Sequence, residues 1–305
     1  MPHARSSCVF CHVFAEAGEI SFLYQTFRPV NRPKQRNAIR RYRGRMGQLV
    51  YSAVITTALG LIRGMRWPVT VVGAEHIPAE GPAILASNHV SYLDFVFVGY
   101  AAREGTGRRV RFLAKKEAFD KAGVGWLMRQ MRHIPVDRQG AAAQSFTAAV
   151  EALAAGDLVG MFPEATISPS FVPRRGKTGT VRLAQETKAP LLPVAVWGGQ
   201  RLLTKWRPKN LRRNVPIRVH VGPPIGVDYG EDPEAATARL MAAISALLAE
   251  AQAAYPVQPE REEDRWWLPA HLGGTAPTPE AAEERLEAER QARAARRAGE
   301  SKGGG

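Results

Sequence analysis

Ala83-Ile84-Leu85-Ala86-Ser87-Asn88-His89-Val90-Ser91-Tyr92-Leu93-Asp94 is the stretch on which the fold turns. Its first five residues form a short apolar run between Gly81-Pro82 and Asn88, the pattern of a buried strand. The chain then turns polar and reaches a carboxylate at Asp94. Outward from this stretch, similar short β-branched runs recur at Val69–Gly73, Val110–Ala114, His133–Val136, Leu158–Phe162, Leu191–Trp197 and Ile217–Val221. Helical spacing lies among them. Gln144–Ala155 places Phe146, Ala149, Val150 and Leu153 on one stripe, with Gly156 as its stop. Pro233–Ala253 does the same with Leu240, Met241, Ile244, Leu247 and Leu248. Such alternation predicts a single α/β domain around one mostly parallel or mixed sheet flanked by helices.

The flanks of that domain differ from it. Eight basic residues and no acidic one lie between Arg28 and Arg45, so residues 1–45 read as a basic, flexible extension. Residues 46–67 are apolar, but the run from Leu49 to Ile62 is shorter than the ~20 residues that span a bilayer. This segment is expected to be a helix lying in the membrane interface; the alternative is a helix packed on the domain's own core. The α/β domain is expected over 68–255. Residues 256–305 are polar, alternate Glu and Arg with Ala, and read as a disordered or helical tail. With only Cys8 and Cys11 no disulfide framework is expected, and with no signal-peptide pattern a reducing cytoplasm is the expected setting.

The 305 residues carry a net charge of +14, positive up to residue 228 and negative beyond it. A polyanionic partner follows, whether nucleic acid, anionic lipid or a phosphorylated substrate. Nucleic acid is disfavoured, because Arg28–Arg45 holds only Tyr42 as an aromatic and no nucleic-acid-binding signature occurs. Several literal motifs fail on context. Gly299-Glu300-Ser301-Lys302-Gly303 has no strand before it, as a nucleophile elbow requires. Gly176-Lys177-Thr178 lacks the earlier glycine of a phosphate loop, and Cys8-x-x-Cys11 has no second pair to close a zinc site.

Two constellations remain. His89 stands at the end of a strand, where α/β sheets place their chemistry, and an imidazole is suited to take a proton at neutral pH. A carboxylate beside it can fix its tautomer and stabilise the imidazolium. On one continuous helix Asp94 would lie about 140° round from His89. The two can therefore meet only if His89 precedes the helix and Asp94 lies inside it. The second constellation, Phe162-Pro163-Glu164-Ala165-Thr166-Ile167-Ser168, follows another apolar strand. It leads into Arg174-Arg175-Gly176-Lys177-Thr178-Gly179, a basic loop able to bind phosphate.

Together these residues resemble the glycerolipid acyltransferase family typified by 1-acylglycerol-3-phosphate acyltransferase. Asn88, His89 and Asp94 meet its N-H-x-x-x-x-D block. Lys116-Glu117 and Ile134-Pro135-Val136-Asp137-Arg138 are similar to its second block. Phe162, Pro163, Glu164, Thr166 and Ser168 meet the F-P-E-G-T-R-S block, and Pro190-Leu191-Leu192-Pro193-Val194 the last. The resemblance implies transfer of a fatty acyl group from acyl-CoA or acyl carrier protein to a lysophospholipid hydroxyl, most simply 1-acylglycerol-3-phosphate. It implies His89 as base and Asp94 as its orienting group, with no acyl-enzyme, metal or other cofactor. Asn88, Lys116, Arg138, Pro163, Glu164, Thr166, Ser168, Arg174, Arg175 and Lys177 are expected at the substrates, Glu164 on the acceptor. The expected setting is peripheral or monotopic, on the anionic cytoplasmic face of a membrane. Two positions depart from the family. Ala165 replaces a glycine, which matters if that backbone needs φ > 0. Ile167 replaces an arginine that the resemblance places on the acceptor's phosphate, and isoleucine cannot make that charge-assisted bond. Acylation of another lipid or glycolipid hydroxyl therefore stays open, as do a thioester or ester hydrolase using the same pair and a non-catalytic lipid-binding module.

Overall fold

The computed structural model describes residues 33–137 and 142–302. The Cys8/Cys11 pair, the first 32 residues of the basic extension and Arg138 lie outside the described residues. The strands are β1 (Val69–Val72), β2 (Ala83–Ser87), β3 (Val110–Lys115), β4 (Ile134–Val136), β5 (Leu158–Met161), β6 (Leu191–Trp197) and β7 (Ile217–Val221). They run in the order β1-β7-β6-β2-β5-β3-β4, and every neighbouring pair is parallel except β6 with β7. This is the mostly parallel, mixed α/β sheet expected, and each strand ends within one residue of its expected bounds. The helices are α1 (Pro33–Gly64), α2 (Asp94–Thr106), α3 (Lys116–Phe119), α4 (Val124–Gln130), α5 (Ala142–Ala154), α6 (Gly179–Thr187), α7 (Pro233–Ala253) and α8 (Pro279–Lys302).

The chain forms two compact units. The larger is drawn from Leu61–Phe112 and Ala148–Gly305. All residues of β2 and β6 are buried, which is why these strands show no polar alternation. On one face Leu85, Val194 and Val196 meet Phe97, Val98 and Ala101 of α2. On the other, Ala195 and Trp197 meet Leu248 and Ala251 of α7. Gly160 of β5 is a required glycine, because a Cβ there would lie 2.3 Å from the Phe112 ring. Asp232 caps α7, accepting from the N–H of Ala235 at 3.1 Å, with Pro233 in the first turn.

The stretch beyond 255 belongs to this unit, a correction to the expected domain end. Trp267, Leu268, Ala276, Ala282 and Leu286 are buried, and Trp267 packs on Trp197 and Tyr255. Glu and Arg on the outer side of α8 conceal the narrow apolar stripe that holds it down.

The smaller unit is drawn, among the described residues, from 33–60, 113–137 and 142–147. It contains most of α1, the second half of β3 paired with β4, the helices α3 and α4, and the start of α5. The helix expected over 46–67 begins earlier, at Pro33, a residue favoured in a first helical turn. From Lys34 to Arg43 no glycine or proline interrupts it. Among the described residues no helix is long and apolar enough to cross a membrane. Leu49 and Leu61 of α1 are nonetheless exposed, at 67% and 39%.

Candidate active site

The site is built where β2 ends, in the larger unit. Asn88 continues the ladder with its side chain: Nδ2 donates to the Val196 carbonyl at 3.0 Å and Oδ1 accepts from the Val196 N–H at 2.7 Å. Both ends of the amide are thereby used on β6, so Asn88 anchors the loop that leaves the sheet. The next residue is His89, and α2 begins five residues on, at Asp94. This is the arrangement under which the two can meet. His89 Nδ1 lies 3.0 Å from Asp94 Oδ2, which also accepts the N–H groups of Val90 and Ser91, each at 2.7 Å.

A carboxylate can only accept, so the short contact puts the imidazole proton on Nδ1 and leaves the Nε2 lone pair free. Burial pushes the Asp94 carboxyl above its ordinary range, while His89 and the two backbone N–H groups pull it back. The His89 side chain is 19% exposed and Asp94 is fully covered. Phe162 stacks on the imidazole at 4.2 Å between centroids with a 20° interplanar angle, and Phe112 lies beyond Phe162. Phe162 covers the face of the ring and Asp94 holds its edge at Nδ1. It is placed to take a proton at one atom.

Glu164 is fully buried and bridges two loops. Oε1 accepts from the His89 N–H at 2.8 Å and Oε2 from the Arg174 N–H at 3.0 Å. Each oxygen thus holds one backbone N–H, and through Oε1 Glu164 positions the His89 backbone. Burial pushes its carboxyl up to about 8, against the Arg174 and His89 N–H groups and the Arg174 charge. The folded protein therefore keeps this proton up to about pH 8, whereas the unfolded chain releases it near the ordinary glutamate value of 4.5. The folded state binds the extra proton in that window, so this group's stability contribution is complete at the acid end and is lost as pH rises through it. The expected result is a Tm difference between wild type and Glu164→Gln that shifts against wild type from pH 5 to 8.5, measured by thermal melts across that range.

Ala165 adopts φ +60° in the turn closed by its N–H to the Phe162 carbonyl at 2.9 Å. The family's glycine at this position thus has a backbone reason. An L-residue there is strained by about 1–2 kcal/mol, and glycine's larger unfolded-state entropy offsets roughly half. Ala165→Gly is expected to stabilise by about 0.5–1 kcal/mol, seen as a rise of a few degrees in Tm.

The other expected residues are placed as follows. Pro163, Ile167 and Ser168 are buried and Thr166 is half-buried. Ser168 donates its hydroxyl to the Val172 carbonyl at 2.6 Å and its N–H to the His89 carbonyl at 2.8 Å. Arg174 makes a two-pronged pair with Glu283 of α8, Nη2 to Oε1 at 2.8 Å and Nε to Oε2 at 3.0 Å. Arg175 and Lys177 are exposed. Lys116, in the smaller unit, is exposed and pairs with Asp137 at 3.0 Å.

Sequence reading missed three supports of the site. One is the stacked Phe162. Another is Glu283, whose pairing lies 109 positions from Arg174. The third is the segment after β6, where the Ser91 hydroxyl donates to the Leu203 carbonyl and that of Thr204 to the Val90 carbonyl, both at 2.7 Å. Gly199 sits against this junction, and a Cβ there would come 3.0 Å from Ser91 and 3.2 Å from Asp94 Oδ1. The Gly198-Gly199 pair was the available signal.

Comparison with known proteins bears on this geometry. Residues 68–197 match the family described as Acyltransferase. The 1-acyl-sn-glycerol-3-phosphate acyltransferase of Bacillus subtilis is 32% identical over 50% of this chain and 75% of its own length. That of Limnanthes douglasii is 35% identical over 60% of this chain, which spans 63% of that relative. The crystal structure of the 1-acyl-sn-glycerophosphate (LPA) acyltransferase of Thermotoga maritima, PlsC, shares the fold, with a TM-score of 0.52 at 22% identity. The match covers 73% of this chain and 84% of that one.

Proposed function

This chain belongs to the 1-acyl-sn-glycerol-3-phosphate acyltransferase family and is an O-acyltransferase, and on that premise we propose that it acylates the free hydroxyl of 1-acylglycerol-3-phosphate from a thioester donor. The observation that carries the reading is the 3.0 Å contact of His89 Nδ1 with Asp94, which leaves Nε2 unprotonated at the end of β2. The acceptor oxygen attacks the thioester carbonyl carbon as its proton passes to Nε2. The tetrahedral adduct then expels the thiolate, which takes that proton from the imidazolium. Acylated lipid and free thiol leave, and the histidine is restored. Asp94 stabilises the imidazolium while it exists. General-base help of this kind contributes about 10²–10⁴-fold, with further acceleration from holding two large substrates together.

Donor and setting are proposed with it: acyl-CoA or acyl carrier protein, at the cytoplasmic face of a membrane, without metal or other cofactor. A second reading, a lipid or glycolipid acceptor without a terminal phosphate, is favoured by two features. Ile167 is buried where the family pattern has arginine, and the Arg174 guanidinium is already paired with Glu283. The test is purified protein with a long-chain acyl-CoA and a panel of lysophosphatidic acid, lysophospholipids and glycolipids, read by mass spectrometry. Gain of one acyl chain on lysophosphatidic acid is the expected product. Transfer only to another acceptor would support the second reading, and free fatty acid alone would make the protein a hydrolase.

A further inference from the structure

The loop from Lys205 to Asn214 carries five cations and no acidic residue. Lys205 is committed to Glu289 at 2.8 Å, and the Arg207 guanidinium lies over Trp266. Lys209, Arg212 and Arg213 are exposed and form no ion pair among the described residues. The far end of the loop is fastened to the end of α1: the Asn214 N–H donates to the Met65 carbonyl at 3.0 Å, and Trp67 Nε1 to the Arg212 carbonyl at 2.9 Å. That junction brings in two further exposed arginines, Arg63 and Arg66, which form no ion pair among the described residues. Aliphatic side chains stand among these charges, with Leu211 36% and Leu61 39% exposed. Each leucine leaves more than a third of its surface to water beside these arginines.

We propose that this face, the Lys209–Arg213 loop with the Arg63–Arg66 turn, docks the enzyme on an anionic phospholipid bilayer. The surface differs from the apolar stretch of α1 marked out in the sequence, and it rests on the proposed function only in supposing a lipid acceptor. Its charge is complementary to anionic headgroups, and its leucines suit the headgroup–acyl boundary. A single-stranded nucleic acid would want exposed aromatic platforms. The loop's aromatic, Trp206, is half-buried beneath the Arg285 guanidinium at 4.0 Å. Position supports the assignment. The loop begins at Leu203 and Thr204, which hold Ser91 and Val90 beside His89. The docking loop is thus continuous in the chain with the segment that seats the catalytic loop.

The test uses the full chain and the triple variant Arg66→Gln/Arg212→Gln/Arg213→Gln, none of whose side chains touches the His89 site. Binding is measured by sedimentation with vesicles of phosphatidylglycerol and phosphatidylcholine and with phosphatidylcholine alone, and by gel shift with single-stranded DNA. Each cation near an anionic surface contributes roughly fivefold, so the variant should bind anionic vesicles on the order of a hundredfold more weakly. Wild-type binding should fall with salt and be slight on pure phosphatidylcholine. The variant Lys209→Gln/Leu211→Ser gives an independent second reading and should also weaken vesicle binding. Variants that bind anionic vesicles like wild type would overturn the proposal, as would wild type that prefers DNA. Acylation of a short-chain, water-soluble lysophosphatidic acid is run in parallel and should be unchanged in both variants. If wild type does not acylate it while vesicle binding still depends on the arginines, the proposed function fails and the docking face stands.

Discussion

Asp94→Asn is expected to lower acyl transfer by about 10³–10⁴-fold in kcat while leaving the acceptor KM within a few-fold, because it either removes the charge that stabilises the imidazolium or reverses the imidazole's tautomer. Asp94 Oδ2 accepts three donors: the His89 ring and the N–H groups of Val90 and Ser91. An asparagine has one oxygen for these. If that oxygen stays with the two backbone N–H groups and the ring, the histidine keeps its proton on Nδ1 but loses the charge that stabilises the imidazolium. If the amide nitrogen turns to the ring instead, Nδ1 must accept, the proton moves to Nε2, and no base faces the hydroxyl. Loss of hydrogen bonds at so buried a carboxyl costs about 1–3 kcal/mol of stability. Steady-state kinetics beside a melting curve separate the two effects. A folded Asp94→Asn protein working within threefold of wild type would remove the orienting role.

The framework of this site was legible because its strands are extreme. Ala83–Ser87 and Leu191–Trp197 are buried on both faces, so their apolar runs stand out from the flanking Gly, Pro and charge. The His89–Asp94 pairing was readable as a condition, that the helix begin at Asp94, and α2 meets it. Ala165 was readable in the same way, through the φ that glycine would need. What escaped depends on contacts between distant positions. The oxygens of Glu164 are taken by backbone 75 and 10 residues away, and no local pattern marks that. Arg174 reads as a free phosphate ligand until Glu283, on a helix that looks fully solvated, is found against it. The tail itself escaped because the few buried residues of α8, Ala282 and Leu286, are too sparse to outweigh its charges. Polar periodicity alone does not tell a solvated helix from one docked along a narrow stripe.

His89→Ala, assayed for transfer from acyl-CoA to lysophosphatidic acid with product identity read by mass spectrometry, tests the central claim most directly. The substitution removes the free Nε2 and the ring stacked on Phe162, but leaves the loop anchored, because Asn88, Ser168 and Glu164 hold it through backbone and their own side chains. The melting temperature should therefore stay within a few degrees of wild type. Product formation should drop by about 10²–10⁴-fold across pH 6–8, the range supplied by a general base. Folded His89→Ala protein that still acylates the acceptor at the wild-type rate would contradict it, and the proton would then have to leave by a route that does not involve His89.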